Sequence, residues 1–124
     1  MNLVDSSGWL EYFSDGRNVT FFAPAIENTR LLVVSSISCY EVFKRIAQQR
    51  NENTAIQAIA VMQQGLVAVL SLELAILAAK LALALKLPLA DSAILATARL
   101  HKATVWTQDS DFAGIDGVKY VAKR

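Results

Sequence analysis

Short apolar runs alternate with longer amphipathic stretches along this 124-residue chain. Apolar runs that show no polar alternation are typical of strands buried on both faces of a parallel sheet. Stretches with apolar residues three and four positions apart predict helices that cover such a sheet. The pattern therefore predicts an α/β fold in which helices flank a central parallel sheet of four to five strands.

The boundaries of the predicted elements follow from these runs and from the turn and capping residues between them. Strands are predicted at residues 3–4, 31–34, 66–70, 103–107 and 118–122. Helices are predicted to begin near residue 9 and to cover residues 21–26, 39–50, 54–64, 72–86 and 89–102. Residues 108–117 are predicted to form a loop. No linker is long enough to divide the chain, so residues 1–124 are expected to form a single domain.

The composition of the chain narrows the classes of function. Hydrophobic residues make up 54% and charged residues 19%, which excludes disorder, because disorder needs low hydrophobicity and high net charge. The 12 basic residues nearly cancel the 11 acidic ones, so nucleic-acid binding would have to rest on local cationic patches. The single cysteine, Cys39, and the single histidine, His101, exclude a disulfide framework, a multi-cysteine zinc site and a His-rich metal cluster.

The most apolar stretch, residues 66–89, raises the question of a membrane span. Glu73, Lys80 and Lys86 interrupt it, so no uncharged run approaches the roughly 20 residues that a spanning helix needs. The first five residues lack the basic and apolar regions of a signal peptide. We therefore expect a soluble cytoplasmic protein, with more apolar surface than a monomer of this size needs.

Acidic residues fall where a parallel sheet places its functional groups, beyond the carboxyl ends of the strands. Asp5 follows the first strand, Glu41 lies in the first turn of the helix after the second, and Asp109 follows the fourth. Asp91 lies near the start of a helix among almost wholly apolar neighbours, and Asp111 comes two residues after Asp109. Crowded carboxylates repel one another, and Mg²⁺ or Mn²⁺ is their natural counter-charge. Such a cation can activate water for phosphoryl chemistry without histidine or cysteine.

Each of these acids also has a purely structural interpretation. Asp5 and Asp109 could be ordinary helix or turn caps. The Ser38-to-Glu41 spacing fits a capping box, in which Glu41 bonds back to the helix start. Asp91 could complement the dipole of its helix. The residues alone leave the metal site and these structural roles as open alternatives.

Four stretches together resemble the PIN-domain family, and in particular the VapC-type toxins of bacterial toxin–antitoxin pairs. They are residues 3–7, 36–42, 87–98 and 105–112, and their order and spacing carry the resemblance over essentially the whole chain. The resemblance implies a three-layer PIN-like fold and a Mg²⁺- or Mn²⁺-dependent endoribonuclease that hydrolyses RNA phosphodiester bonds. It also implies a cognate antitoxin and a homodimer.

The resemblance maps the acids of the family onto residues of this chain. The catalytic and metal-binding positions correspond to Asp5, Glu41, Asp91 and Asp109. Asp111 matches a position that only some members use. Ser6 and Thr107 match hydroxyl positions beside the first and last acids, where they would orient carboxylates or water.

Cationic side chains near the acids would hold an RNA substrate. Lys44 and Arg45 follow Glu41 on the same predicted helix, and further candidates are Arg17, Arg30 and Arg99. For each of these side chains, an ordinary solvated surface charge is the competing interpretation.

The helix predicted from Leu72 to Lys86 is apolar around most of its circumference, which is typical of a helix buried on more than one side. In so small a domain the second side would be another subunit, so we expect a homodimer through this helix.

Two other functional classes remain as alternatives. A non-catalytic PIN-like module would keep the fold for antitoxin or RNA contact. A receiver-like phosphoacceptor domain would need an aspartate directly after the third strand, where Ser71 and Leu72 follow instead, and a Lys-Pro pair that is absent.

Overall fold

Five parallel strands form the centre of the molecule. The computed structural model describes residues 1–124, and the sheet has the strand order β3-β2-β1-β4-β5. Its strands are β1 (Asn2–Val4), β2 (Leu32–Ser35), β3 (Leu66–Ala68), β4 (Thr104–Thr107) and β5 (Val118–Tyr120). Because β1 lies between β2 and β4, the residues that follow these three strands share one edge of the sheet.

Six helices cover the two faces of this sheet. They are α1 (Ser6–Phe13), α2 (Val19–Glu27), α3 (Ser36–Gln49), α4 (Glu52–Met62), α5 (Leu72–Leu85) and α6 (Leu89–Leu100). Short 3₁₀ turns cover Thr29–Leu31 and Ser110–Phe112. The predicted α/β fold with a parallel sheet flanked by helices is therefore confirmed, and the sheet has five strands.

The hydrophobic core is divided into two clusters, one on each face of the sheet. Leu3 of β1 packs with Val33 and with helices α5 and α6, whereas Val4 packs with Val34 and with helices α1 to α4. Successive residues of one strand point to opposite faces, so both neighbours are apolar when both faces are covered. This double burial explains the apolar runs without alternation and gives the fold its three layers.

The start of α3 differs from the prediction. The helix begins at Ser36 instead of residue 39, because the Ser35 side chain accepts a hydrogen bond from the amide of Ile37 and caps the helix at the end of β2. Ser38 is therefore a buried residue inside the helix, and Glu41 lies in the second turn instead of the first. The capping-box interpretation of Ser38 and Glu41 is wrong for this reason.

Helix α5 has one buried and one exposed apolar face. Leu74, Ala78 and Leu81 pack into the core, while Leu72 is 79% and Leu83 is 85% exposed.

No helix in the structure is both long enough and apolar enough to cross a membrane.

Candidate functional site

The carboxyl edge of the sheet brings the acidic residues together. Asp5 follows β1 directly, and Asp109 follows the paired strand β4 after one intervening residue. Asp91 lies in the first turn of α6, and Glu41 projects from α3, which begins where β2 ends. The acids from four separate segments therefore meet at one place.

Asp5 is the most deeply buried of the acids, with 2% of its surface exposed. Its Oδ1 accepts hydrogen bonds from the amide of Gly8 at 2.9 Å and from the hydroxyl of Ser7 at 2.8 Å. Its Oδ2 accepts one from the hydroxyl of Thr107 at 2.5 Å. Burial raises the pKa of Asp5 to about 6, against the opposing effect of these hydrogen bonds. Asp5 thus caps α1, and it also presents a carboxylate of fixed orientation to the site.

Glu41 is held by a hydroxyl from another helix. The side chain of Ser6, in the first turn of α1, donates a hydrogen bond of 2.6 Å to Oε1 of Glu41. Ser6 Oγ also lies 3.1 Å from the hydroxyl oxygen of the buried Ser38. The serine pair connects α1 to α3 and restricts Glu41 to the side of α3 that faces the other acids.

A carboxylate cluster forms where the loop after β4 meets the start of α6. Asp91, Asp109 and Asp111 each place an oxygen within 4.8 Å of the oxygens of the other two. Burial, followed by the charges of Asp109, Asp111, Asp5 and Glu41, raises the pKa of Asp91 to about 7. The other four acids all raise this pKa, so all five share one electrostatic site centred near Asp91.

Thr107 connects Asp5 to the loop that carries Asp109. Its fully buried hydroxyl donates to Asp5 and accepts a hydrogen bond of 2.9 Å from the amide of Asp109. Oδ1 of Asp109 in turn accepts from the amide of Asp111 at 2.9 Å, which forms the cap of the 3₁₀ turn. Asp109 therefore caps the 3₁₀ turn through Oδ1, as the structural interpretation predicted. Its second carboxylate oxygen takes no part in this cap.

The cluster fits a hard divalent cation. All of its donors are carboxylate oxygens, the ligand type that Mg²⁺ and Mn²⁺ prefer. The oxygens all lie within 4.8 Å of one another, close enough for one ion to contact all three residues. Burial and four neighbouring carboxylates raise the pKa of Asp91, so a bound cation would stabilise its ionised form.

The predicted RNA-binding cations are distributed unevenly around this site. Lys44 and Arg45 line a small cavity of about 340 Å³ that also contains Ser6 and Glu41. Arg99 lies in the last turn of α6, about 12 Å along the helix axis from Asp91. Arg30 precedes β2 and therefore lies at the opposite edge of the sheet. Among these candidates, Lys44 and Arg45 are the ones that line the cavity beside Glu41.

Some residues of the site were not found from the sequence. Ser7 donates to Asp5, and Gln108 donates through its backbone amide to Ser7 Oγ at 3.3 Å. Both are adjacent in sequence to predicted site residues, which is the signal that could have identified them. Asn18, which contacts Gln108 across 90 residues, gives no such signal.

The third strand ends without an acidic residue. Val69 and Leu70 follow β3, and Ser71 caps α5 by accepting from the amide of Leu74. A receiver-like phosphoacceptor site therefore has no aspartate at the required position.

Known proteins of one family match this chain over most of its length. The PIN domain family model matches residues 3–118. A toxin–antitoxin complex from Klebsiella pneumoniae contains a chain of 30% identity and TM-score 0.78, and the match covers 96% of each chain. The sarcin–ricin-loop-cleaving toxin VapC20 of Mycobacterium tuberculosis is 14% identical, with TM-score 0.78 over 94% of this chain and 95% of that one.

A DNA-bound VapBC complex from Salmonella typhimurium is 15% identical, with TM-score 0.76 over 98% of both chains. Among curated proteins, none matches the sequence significantly. Because the family model spans nearly the whole chain and the solved relatives share its fold, this chain belongs to the PIN domain family.

Proposed function

We propose that this chain is a Mg²⁺- or Mn²⁺-dependent endoribonuclease and the toxin of a type II toxin–antitoxin pair. The observation that carries the proposal is the convergence of five carboxylates at the carboxyl edge of a PIN-domain sheet. The 30% identity to a chain of a toxin–antitoxin complex supports the biological role. The sarcin–ricin-loop-cleaving relative supports RNA as the substrate class. An RNA-cleaving toxin acts where cellular RNA is, so we place this activity in the cytoplasm.

The acids would hold the metal ion, and each has a defined support. Asp5, Glu41, Asp91 and Asp109 are the proposed ligands and catalytic residues, with Asp111 as an additional ligand beside Asp109. When bound, the cation supplies activation of water and stabilisation of the charge that develops on the phosphate oxygens. Ser6 holds Glu41 and Thr107 holds Asp5, so both hydroxyls fix the orientation of carboxylates.

The proton on Asp91 couples metal binding to pH. With a pKa of about 7, Asp91 holds a proton over part of the neutral range when no cation is bound. A cation has to displace that proton, so metal affinity rises as the pH increases towards and through 7.

The cations and the exposed leucines suggest where other molecules bind. Lys44 and Arg45 flank the cavity beside Glu41, and we propose that they contact the RNA backbone.

On the other face of the sheet, α5 and the start of α6 expose large side chains: Leu72, Ile76, Leu83 and Leu89. We propose that this apolar face forms the homodimer interface, because such patches on a small domain mark sites of association.

A cleavage assay with matched variants tests the ribonuclease proposal. Purified protein free of antitoxin is incubated with RNA in Mn²⁺ or in EDTA. Wild type is expected to cleave only with metal, and Asp5→Asn and Asp91→Asn to be at least 100-fold slower while circular dichroism shows an intact fold. Asp116→Asn serves as the control, because Asp116 is an exposed carboxylate before β5, outside the cluster.

The same assay separates catalysis from a binding role. If Asp91→Asn cleaves RNA as fast as wild type in Mn²⁺, the assignment of Asp91 is wrong. If the wild type cleaves no RNA but still binds its antitoxin, the alternative of a non-catalytic binding module is correct.

A further inference from the structure

We propose that a cleft of mixed polar and apolar lining beside the acidic site binds one nucleotide of the RNA next to the bond that is cut. The cleft lies between α1, α3 and α4, is also lined by Gln108 and Lys123, and has a volume of about 680 Å³. This volume lies within the range of sites that hold small molecules. The inference rests on the proposed ribonuclease function and adds a substrate subsite outside the acids.

Shared residues and hydrogen bonds link the cleft to the acidic site. Ser7 lines the cleft and donates to Asp5, and Gln108 lies in the chain between Thr107 and Asp109. The smaller cavity that contains Glu41 shares Leu10 and Arg45 with the cleft. The cleft is therefore a neighbouring surface for a polymer bound across the acids.

The charges of the cleft favour a polyanion. Arg45, Arg50 and Lys123 line it, and Glu11 is the only acid among the lining residues. The Glu11 carboxylate is already engaged, because Oε2 accepts from the backbone amide of Asn18 at 2.8 Å. The three cations outnumber this one acid, so the lining is net positive, and phosphate is the anion that RNA brings to this position.

Gln108 provides a polar contact of fixed orientation. It is 8% exposed, and its Oε1 accepts from Nδ2 of Asn18 at 2.9 Å, while the same Nδ2 donates to the carbonyl of Ala122 at 3.0 Å. A carbonyl only accepts, so the amide orientations of Asn18 and Gln108 are both determined.

The other end of the Gln108 amide is poorly satisfied within the chain. Its Nε2 reaches Oε1 of Glu11 at 3.4 Å and the carbonyl of Ser7 at 3.5 Å, distances longer than the usual 2.9–3.0 Å of a good hydrogen bond. Nε2 therefore keeps donor capacity for a stronger acceptor in the cleft. A carbonyl oxygen of a nucleobase or a ribose oxygen fits this donor.

Steady-state kinetics on a short RNA tests the subsite. Arg50→Gln and Lys123→Gln each remove one cation, and we expect each to raise KM about five- to tenfold at low salt while kcat stays within about twofold. Lys102→Gln is the matched control, because Lys102 is exposed and precedes β4 at the opposite edge of the sheet. It is expected to leave KM unchanged.

A binding measurement without metal keeps the test independent of cleavage. Fluorescence anisotropy of a labelled RNA is recorded in EDTA with the Asp91→Asn protein, alone and combined with Arg50→Gln or Lys123→Gln. A five- to tenfold weaker affinity in both combinations supports the subsite. Binding of nucleoside 5′-monophosphates that both cation variants weaken adds the same support.

The failure of this inference is distinguishable from the failure of the proposed function. If the wild type cleaves no RNA in Mn²⁺, the ribonuclease function is wrong. If the wild type cleaves RNA and the cleft variants keep its KM and its affinity in EDTA, the subsite is wrong. If those variants keep RNA affinity but weaken binding of an acidic peptide or of the antitoxin, the cleft belongs to a protein partner and the nucleotide assignment is overturned.

Discussion

Replacing Asp91 by Asn removes one charge from the acidic cluster while keeping the shape of the side chain. In the metal-free protein, burial and the neighbouring carboxylates raise the pKa of Asp91 from 3.8 to about 7. At pH 8 the folded protein therefore holds an ionised carboxylate in a place that disfavours it. We expect the Asn variant to be more stable than wild type at pH 8 in EDTA.

The size of this gain follows from the pKa difference. A change from 3.8 to about 7 corresponds to about 4 kcal/mol in full. Asp91 is only half-buried, and solvent screens the repulsion, so we expect a gain of about 1–2 kcal/mol. At about 2.1 cal/mol/K per residue, the unfolding entropy of the 124-residue chain is about 0.26 kcal/mol/K. The Tm should therefore rise by about 4–8 °C.

The stability that Asp91→Asn gains over the wild type should grow as the pH rises. Folding raises the pKa of Asp91, so between about pH 4 and pH 7 the folded state holds a proton that the unfolded state has released. As the pH rises through this window, the free energy of unfolding of the wild type falls relative to that of the variant. Below about pH 4 the carboxyl group is protonated in both states, and the two proteins should be equally stable.

Bound metal should make the wild type more stable than the Asp91→Asn variant. Mn²⁺ at 100 times its Kd should stabilise the wild type by about 2.7 kcal/mol, and the variant by much less because one ligand is lost. Thermal and urea unfolding at pH 8, in EDTA and in Mn²⁺, measure both effects, with Asp116→Asn as the control. An Asp91→Asn protein that is less stable than wild type in EDTA at pH 8, or that gains as much from Mn²⁺, would refute the reasoning.

Substitutions at three further positions test separate parts of the structure. Thr107→Val removes the hydroxyl that donates to Asp5 and should cost about 1–3 kcal/mol by urea unfolding, whereas Thr107→Ser should retain most of the stability. Gly8→Ala places a methyl group 2.6 Å from the ring of Phe22, so calorimetry should show a loss of about 1–3 kcal/mol, and an unchanged Tm would contradict this packing. Leu83→Glu charges the exposed face of α5 and should convert a dimer to a monomer in light scattering, whereas a monomeric wild type would exclude the proposed interface.

The sequence by itself determined the class of the fold and the approximate position of the acids. Leu3 and Val4 are adjacent and both apolar because helices cover both faces of the sheet, and this double burial is visible as a run without alternation. Residues that follow parallel strands share one edge, so the positions of Asp5 and Asp109 in the chain were enough to place them together.

Only the tertiary structure decided which groups contact these acids. The start of α3 was predicted three residues late, because Ser35 and Ser38 are both good capping residues and the end of β2 selects the first. The hydroxyl that holds Glu41 belongs to Ser6, 35 residues away, and the pKa of Asp91 depends on burial and on charges from three other segments.

The cleft beside the acids also depends on contacts between segments that are distant in the sequence. Arg50 and Lys123 are ordinary surface cations in the sequence. The packing of α3 against α1 and α4 brings Arg50 to the cavity, and the hydrogen bond from Asn18 to the carbonyl of Ala122 holds the segment that carries Lys123. Local patterns set helices and strands because these depend on residues close in the chain. Burial, hydrogen bonds and charge interactions between distant segments have no such signal, because they exist only after the chain has folded.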